Sequence, residues 1–166
     1  MRVDYRPATM SDVDPLAVLE HEVFPADRIS RASFRRMVRS RSAAVTVAAA
    51  GDSIAGYFVV LFRQGSRAAR LYSIAVDPRM AGEGIGRGLL AEAMSVAAGR
   101  GAGELRLEVR VDNGRAISLY EQAGFAPMRR VPGYYADGGA ALRMSRLLAT
   151  PPVRASAAAT VDGTAR

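Results

Sequence analysis

A glycine-rich turn between an apolar strand and an amphipathic helix is the strongest constraint that this sequence places on its fold. Residues 70–76 predict a strand that ends at Asp77-Pro78, and apolar periodicity predicts a helix from about residue 86 to 99. Glycines let the main chain approach a ligand closely and point successive N–H groups at it, and the helix start adds partial positive charge. The turn therefore indicates a pyrophosphate site. Its candidate binding residues are Gly82, Glu83, Gly84, Ile85, Gly86 and Arg87.

Glycine spacing alone does not distinguish a phosphate-binding turn from a purely structural one. A tight strand-to-helix connection without a ligand would also use glycine. The dinucleotide-binding pattern G-x-G-x-x-G is not met, because Arg87 stands where a glycine is needed and no acidic residue ends a second strand about 20 residues on. The chain has no lysine, which excludes a Walker-type phosphate loop and a lysine Schiff base.

Composition limits the partners and the compartment. The 166 residues carry a net charge of +7, supplied entirely by arginine. An acidic or phosphorylated partner would explain this charge, and so would the arginine and alanine usage of a GC-rich genome. Because cysteine is absent and histidine occurs once, we expect no disulfide and no metal site, and we expect a cytoplasmic protein. No apolar run is long enough to predict a membrane span, and the N-terminus does not resemble a signal peptide.

The predicted elements follow the order β-α-α-β-β-β-α-β-α-β-β. Residues 43–50 and 54–62 are apolar runs joined by Gly51-Asp52, which predicts a hairpin, and Ser30 is a plausible N-cap for a helix over residues 31–40. An antiparallel meander followed by β-α-β crossovers predicts an α/β fold with a mixed, mainly antiparallel sheet flanked by helices. We expect one domain over residues 1–148 and a disordered tail over residues 149–166.

The turn resembles the Q/R-x-x-G-x-G/A loop of the GNAT superfamily of acyl-CoA N-acyltransferases, with Gly84 and Gly86 as its glycines. The similarity continues in LYSIAVDP (71–78), LEVR (107–110) and AISLYEQAGF (116–125). Within the superfamily the chain is most similar to the ribosomal-protein-alanine N-acetyltransferases. Those enzymes have a Tyr-Tyr turn, and the segment Gly133-Tyr134-Tyr135 of this chain resembles it. Ala81 departs from the pattern, since this position is usually Gln or Arg. A side-chain contact is lost there, while main-chain donors remain.

The resemblance implies acetyl-CoA as the cosubstrate, held in a gap between the strands of residues 70–76 and 104–110. It implies that Ile74, Ala75 and Val76 lie along the pantetheine arm, and that the Val76 N–H polarises the thioester carbonyl. It also implies that Asn113 contacts the cosubstrate, in addition to the N-cap role that its position suggests.

Glu108 is the candidate proton acceptor. In the alternating strand of residues 104–110, Glu108 shares one face with Glu104, Arg106 and Arg110. From the pattern alone, a ladder of ion pairs on a solvated face explains these four charges. The resemblance places Glu108 where the related enzymes keep their proton acceptor, acting directly or through water.

Tyr120 is the candidate proton donor to the departing thiolate. A phenol has a pKa near 10 and can donate its proton at neutral pH. Tyr120 lies two helical turns after Asn113, so both occupy one helix face. Packing of Tyr120 with Ile117 and Phe125 in the core is the alternative that the pattern leaves open.

The sequence does not identify the acceptor amine. A protein N-terminal amine is the nearest class, a small-molecule amine is the first alternative, and a CoA-binding regulatory module without turnover is the second. Arginines at positions 28, 31, 35, 36, 39 and 41 would suit an acidic acceptor or ribosomal RNA. Those at 28, 31, 35 and 39 follow helical spacing, however, so one solvated face is the simpler interpretation. Ribosome association has no further support, and the oligomeric state, monomer or homodimer, stays open.

Overall fold

The protein is described by a computed structural model that covers residues 2–149. Residues 1 and 150–166 lie outside the described part, and with them nearly all of the tail predicted over residues 149–166. The predicted order of helices and strands is confirmed. The elements are β1 (Asp4–Pro7), α1 (Val13–Val23), α2 (Arg31–Arg39), β2 (Ala43–Ala50), β3 (Ser53–Leu61), β4 (Ala68–Val76), α3 (Ile85–Gly99), β5 (Glu104–Arg110), α4 (Gly114–Gln122), β6 (Ala126–Val131) and β7 (Ala141–Leu147), with short 3-10 turns at Met10–Asp12 and Pro78–Met80.

Capping side chains determine where the first helices begin. The Asp12 carboxylate accepts a hydrogen bond from the Thr9 N–H (2.8 Å) and completes a capping box ahead of α1. The Ser30 hydroxyl accepts one from the Ser33 N–H (3.0 Å) at the start of α2. Each bond satisfies a main-chain donor that has no partner inside its helix.

The strands form one sheet in the order β1-β2-β3-β4-β5-β7-β6. Among the described residues only β4 and β5 pair in parallel, and the other neighbours are antiparallel. This confirms the mixed, mainly antiparallel sheet. The parallel pairing involves only residues 68–70 of β4 and 104–106 of β5, although β4 continues to Val76 and β5 to Arg110. The two strands therefore separate in the middle of the sheet.

Alternation along β3 sends side chains into two cores. Tyr57 and Val59 pack under α1 and α2, whereas Phe58 and Val60 pack under α3 and α4. All four are fully buried. The sheet is therefore covered on both faces next to the point where β4 and β5 separate, and its central strands are held rigidly.

The core under α1 and α2 contains a buried carboxylate. Glu20 is only 2% exposed, and its two oxygens accept hydrogen bonds from the Tyr57 hydroxyl and from the Ile29 N–H (2.8 Å). Tyr57 also bonds the hydroxyl of Ser73 on β4 (2.8 Å). Burial, reinforced by the neighbouring Glu20 carboxylate, raises the pKa of Tyr57 far above its usual range, so the phenol stays a donor. Glu20 thereby ties the connection between α1 and α2 to the sheet.

Gly56 on β3 lies where α3 packs closely against the sheet. A Cβ at Gly56 would lie 2.6 Å from the Ala75 carbonyl oxygen and 2.9 Å from Leu89 Cδ1. We expect Gly56→Ala to lower the free energy of unfolding by about 1–3 kcal/mol, because overpacking forces main chain to move. Urea denaturation measures this loss.

Gly99→Ala is the matched control for that experiment. A Cβ at Gly99, at the end of α3, would meet nothing within 4 Å, so this change should be neutral or stabilising by up to about 1 kcal/mol. Equal stability of Gly56→Ala and wild type would contradict the packing described for α3.

Candidate active site

The edge of β4 that faces β5 exposes main-chain groups where the two strands separate. Asp77 donates its N–H to the Ala55 carbonyl on the β3 side (2.8 Å), and Val76 lies opposite Gly56 in the register. Hydrogen-bonded and non-hydrogen-bonded pairs alternate in an antiparallel ladder. Val76 and Ile74 therefore point their N–H and C=O groups away from β3. They face the gap between β4 and β5, where they have no strand partner.

Ala75 has the opposite orientation. The same alternation turns its main-chain groups toward β3, and its side chain is 5% exposed in the core under α1 and α2. Of the three residues predicted along the pantetheine arm, the structure thus places the polar main-chain groups of Ile74 and Val76 at the gap and those of Ala75 away from it.

The glycine-rich turn leads from β4 to an open helix N-terminus. Gly82 and Gly84 have φ angles of +85° and +78°, which favour glycine, and a Cβ at either position would meet nothing within 4 Å. The first main-chain hydrogen bond of α3 joins the Gly88 N–H to the Gly84 carbonyl (3.0 Å). The amides of residues 85–87 therefore have no helical partner and are available to an anion.

The other residues of the turn differ in what they offer. Ile85 is 3% exposed and packs into the core under α3, so it contributes only its main chain. A Cβ on Gly86 would lie 3.6 Å from Val76 Cγ2, which places the first turn of α3 beside the end of β4. The exposed Arg87 donates to the Gln122 side chain on α4 (3.1 Å) and adds positive charge next to the open amides.

Asp77 fixes the conformation of the main chain just before the glycine-rich turn. Its carboxylate accepts hydrogen bonds from the Arg79 N–H (2.9 Å) and guanidinium (2.8 Å), and this interaction lowers the pKa of Asp77 below its usual value. Ala81 and Glu83 are both exposed. Neither offers a side-chain donor, so main-chain amides and Arg87 are the donors that the turn presents.

The side chain of Glu108 on β5 is buried, and two arginines hold it in place. Its side chain is 8% exposed, and its oxygens accept from Arg70 Nε on β4 (2.9 Å) and Arg143 Nε on β7 (2.8 Å). The Tyr134 hydroxyl donates to the same carboxylate (3.4 Å) and itself accepts from Arg70 Nη2 (2.7 Å). The ion pair with Arg70 spans β4 and β5 where their pairing stops.

The remaining charges of β5 form the ion pairs that the alternation suggested. Arg106 bonds Glu104 (2.9 Å), and Arg110 bonds Asp137 in the connection between β6 and β7 (3.1 Å). Glu108 therefore belongs to a ladder of ion pairs, as the alternation suggested. Its side chain is nevertheless almost fully buried and does not lie on a solvated face. The contacts of Arg70 and Arg143 with Glu108 were not predicted from the sequence.

Tyr120 is 7% exposed on α4 and packs edge-on against Phe125, with ring centroids 6.0 Å apart. Burial, together with the nearby Tyr135, raises the pKa of Tyr120 to about 12, so its hydroxyl keeps its proton at neutral pH. The Tyr120 hydroxyl forms no hydrogen bond with another residue in the range 2–149, and it retains some contact with solvent.

Two tyrosines of the connection between β6 and β7 pack beside Glu108. Tyr134 bonds Glu108, and Tyr135 packs edge-on against Tyr134 with ring centroids 4.9 Å apart. The Arg110 guanidinium lies over the Tyr135 ring at 4.2 Å. This connection therefore forms part of the surroundings of Glu108.

Asn113 occupies the N-cap of α4. Its side-chain oxygen accepts from the Ala116 N–H (3.2 Å), as expected from its position at the start of the helix. Within residues 2–149, no group of three His, Asp or Glu side chains is arranged to hold a metal ion. None of the described helices is both long and apolar enough to cross a membrane.

Comparisons with known proteins agree with this geometry. Residues 11–125 match the model of the Acetyltransferase (GNAT) family. The chain is 34% identical over 148 residues to the N-alpha-acetyltransferase RimI of Mycobacterium tuberculosis. This match covers 84% of this chain and 92% of that protein. It is 37% identical over 136 residues to an uncharacterized protein of Mycobacterium leprae, and there the match spans 80% of this chain but only 37% of the relative's length.

A solved structure shows the same fold over almost the whole chain. The ribosomal-protein-S18-alanine N-acetyltransferase from Escherichia coli superimposes with a TM-score of 0.80 at 25% identity and covers 93% of this chain and 99% of its own. The family match covers more than half of the chain and contains the turn, the gap and both candidate catalytic residues. The chain therefore belongs to the GNAT family of acetyltransferases.

Proposed function

We propose that this protein transfers the acetyl group of acetyl-CoA to the α-amine of a protein N-terminus. The observation that carries the proposal is the separation of β4 from β5 beyond Arg70, directly beside the open amides at the start of α3. This arrangement offers an extended row of main-chain partners and an anion site at one end. An acyl-CoA has the matching features, a flexible arm with two amides and a pyrophosphate.

The residues of the gap suit the donor by their backbone chemistry. The N–H and C=O groups of Ile74 and Val76 can pair with the amides of the pantetheine arm as a neighbouring strand would. The amides of residues 85–87 and the Arg87 guanidinium can hold the pyrophosphate, and the absence of a Cβ at Gly82 and Gly84 leaves room for it. Asn113 lies at the start of α4 and can contact the donor with its side-chain amide, while its oxygen caps the helix.

The transfer forms a C–N bond and breaks the C–S bond of the thioester. The amine must lose a proton, and the departing thiolate must gain one. Val76 can direct its N–H at the thioester carbonyl and stabilise the negative charge that develops on that oxygen. Tyr120 is protonated at neutral pH and can give its proton to the thiolate.

Glu108 is the proposed proton acceptor, and its arginine partners define its orientation. Arg70 and Arg143 hold the carboxylate in place through charge-assisted hydrogen bonds. A carboxylate has about four lone-pair sites, so the bonds from Arg70, Arg143 and Tyr134 leave about one site for the amine or for a bridging water. The Tyr134 ring, with Tyr135 packed against it, lies beside this carboxylate.

The acceptor class rests on the relatives. RimI of Mycobacterium tuberculosis is named an N-alpha-acetyltransferase, and the superimposed Escherichia coli enzyme is named for the alanine of ribosomal protein S18. We infer from these names that the acceptor here is a polypeptide N-terminus, and that the protein acts in the cytoplasm, where acetyl-CoA and new protein chains are present. A small amine remains the alternative that an acceptor screen would detect.

The first prediction concerns binding of the donor. Acetyl-CoA should bind the purified protein and stabilise it by about 2.7 kcal/mol at a concentration 100-fold above its Kd. Gly84→Asn should abolish this stabilisation, because asparagine tolerates a positive φ and its side chain fills the open space in front of the amides. Titration calorimetry and thermal melting measure both effects.

Gly51→Asn is the matched control for Gly84→Asn. Gly51 lies in the β2–β3 hairpin with φ +61° and open space around its Cβ position, so this variant should bind acetyl-CoA like wild type. Absence of binding to the ligand-free wild type, or equal loss in both variants, would contradict the proposed donor site.

The second prediction concerns the chemical step. Glu108→Gln should lower kcat by about 10²–10⁴-fold, since general-base catalysis typically contributes that much, and leave CoA affinity unchanged. Tyr120→Phe should also lower kcat, and its deficit should shrink with an acyl donor whose leaving thiol is more acidic. Steady-state kinetics over N-terminal peptides and small amines, with titrated CoA affinity, provides the measurement.

Glu104→Gln is the control for the loss of a charge from this face of β5. Glu104 also bonds an arginine on the same strand, yet it lies near the end of β5 away from the gap, and the variant should keep its turnover. Full activity of Glu108→Gln and Tyr120→Phe would rule out their assigned roles. Tight CoA binding without turnover on any amine would instead identify a CoA-binding regulatory module.

A further inference from the structure

Five arginines lie at the end of the sheet where the central strands β4 and β5 begin. We name this surface the five-arginine edge, and it consists of Arg39, Arg41, Arg63, Arg67 and Arg100. All five are exposed, and none forms an ion pair with another described residue. By contrast, Arg70 and Arg143, which contact Glu108, are paired with a carboxylate. The end of the sheet where β4 and β5 begin therefore carries positive charge that no described carboxylate neutralises.

The elements of the fold bring these five positions to one end of the sheet from distant parts of the sequence. Arg39 and Arg41 lie at the end of α2 and just before β2, Arg63 and Arg67 lie in the connection between β3 and β4, and Arg100 follows α3. The Arg67 side chain lies against Gly103, because a Cβ there would be 2.6 Å from its Nη2 atom. Of these five arginines, the sequence alone singled out Arg39 and Arg41.

A cleft of about 280 Å³ lies within the five-arginine edge. Its lining includes Arg41, Arg63, Arg100 and the aromatic ring of Phe62, and none of the lining residues in the range 2–149 is acidic. Arg100 donates to the carbonyls of Arg41 (3.2 Å) and Ala43 (3.4 Å), and its guanidinium lies over the Phe62 ring at 4.8 Å. These contacts hold an exposed guanidinium against an aromatic ring at the wall of the cleft.

This chemistry is that of a site for a single-stranded polyanion with flat bases. Arginine guanidinium groups bind phosphates through paired hydrogen bonds, and both guanidinium planes and aromatic rings stack on unpaired bases. A guanidinium and an aromatic ring at a cleft suit an unpaired base, whose flat face a duplex does not expose. Exposed large apolar side chains, which insert into lipid, are absent from the described lining, and this argues against a membrane surface.

We propose that the five-arginine edge binds single-stranded RNA, with phosphates on the arginines and a base in the cleft beside Phe62 and Arg100. The choice of RNA over DNA rests on the proposed function, because protein N-termini emerge on a particle built largely of RNA. The edge lies at the start of β4, about 26 Å from Val76 at 3.3 Å per strand residue. RNA bound there leaves the gap and its acceptor side accessible.

The test uses fluorescence anisotropy with a labelled 12-nucleotide uridine-rich RNA, measured between 50 and 300 mM salt on the full chain. Arg41→Gln with Arg63→Gln removes two charges of the cleft and spares Arg100, which bonds main chain. We expect this variant to flatten the slope of log affinity against log salt by about 1.4, since each lost phosphate contact on a single strand accounts for about 0.7. Its acetyl transfer to peptides should equal that of wild type.

Arg129→Gln with Arg130→Gln is the matched control, because it removes the same charge from exposed positions of β6. It should bind the RNA with the wild-type slope. An equal loss of RNA affinity in both double variants would show that only net charge matters and would overturn the proposal. Absence of RNA binding by the wild-type protein at 150 mM salt would overturn it as well. Equal affinity for DNA of the same sequence or for polyglutamate would overturn the assignment to RNA. Because acetyl transfer is measured separately, failure of this proposal differs from failure of the proposed function.

Discussion

The short parallel pairing between β4 and β5 is the interaction on which the proposed site depends. It joins the two halves of the sheet through residues 68–70 and 104–106 and then stops, which leaves the later part of β4 without a neighbour on one side. An unpaired main-chain N–H or C=O costs free energy if it is buried from water. Ile74 and Val76 therefore need solvent or a ligand at this edge, and an extended ligand can take the place of the missing strand.

The surrounding packing keeps this gap open. Both faces of β3 are buried, Gly56 allows α3 to approach the sheet closely, and Glu20 anchors the connection between α1 and α2 to Tyr57. At the closed end of the gap, Arg70 reaches across to Glu108 and bridges the two strands at the last paired position. A rigid scaffold with one unpaired strand edge is a suitable arrangement for aligning two substrates, which alone can supply several kcal/mol of rate enhancement.

Local signals in the sequence predicted the elements, whereas the charge network required the structure. The alternation of residues 104–110, the Gly51-Asp52 hairpin and the Ser30 cap depend on neighbours in sequence, and each was found where it was expected. Glu108 is bonded by arginines 38 and 35 residues away, and Glu20 by a tyrosine 37 residues away. Such pairs depend on how strands align in the sheet, which no local pattern specifies. The separation of β4 from β5 was expected only through resemblance to a known family.

Amide hydrogen exchange measured by NMR, with and without saturating acetyl-CoA, tests the central claim most directly. We predict that the Ile74 and Val76 amides exchange readily in the free protein and become protected when acetyl-CoA binds. The Ala75 amide, which the register turns toward β3, should be protected in both states and serves as the internal reference. Unchanged exchange at Ile74 and Val76 under saturating acetyl-CoA would contradict the claim that the gap between β4 and β5 holds the donor.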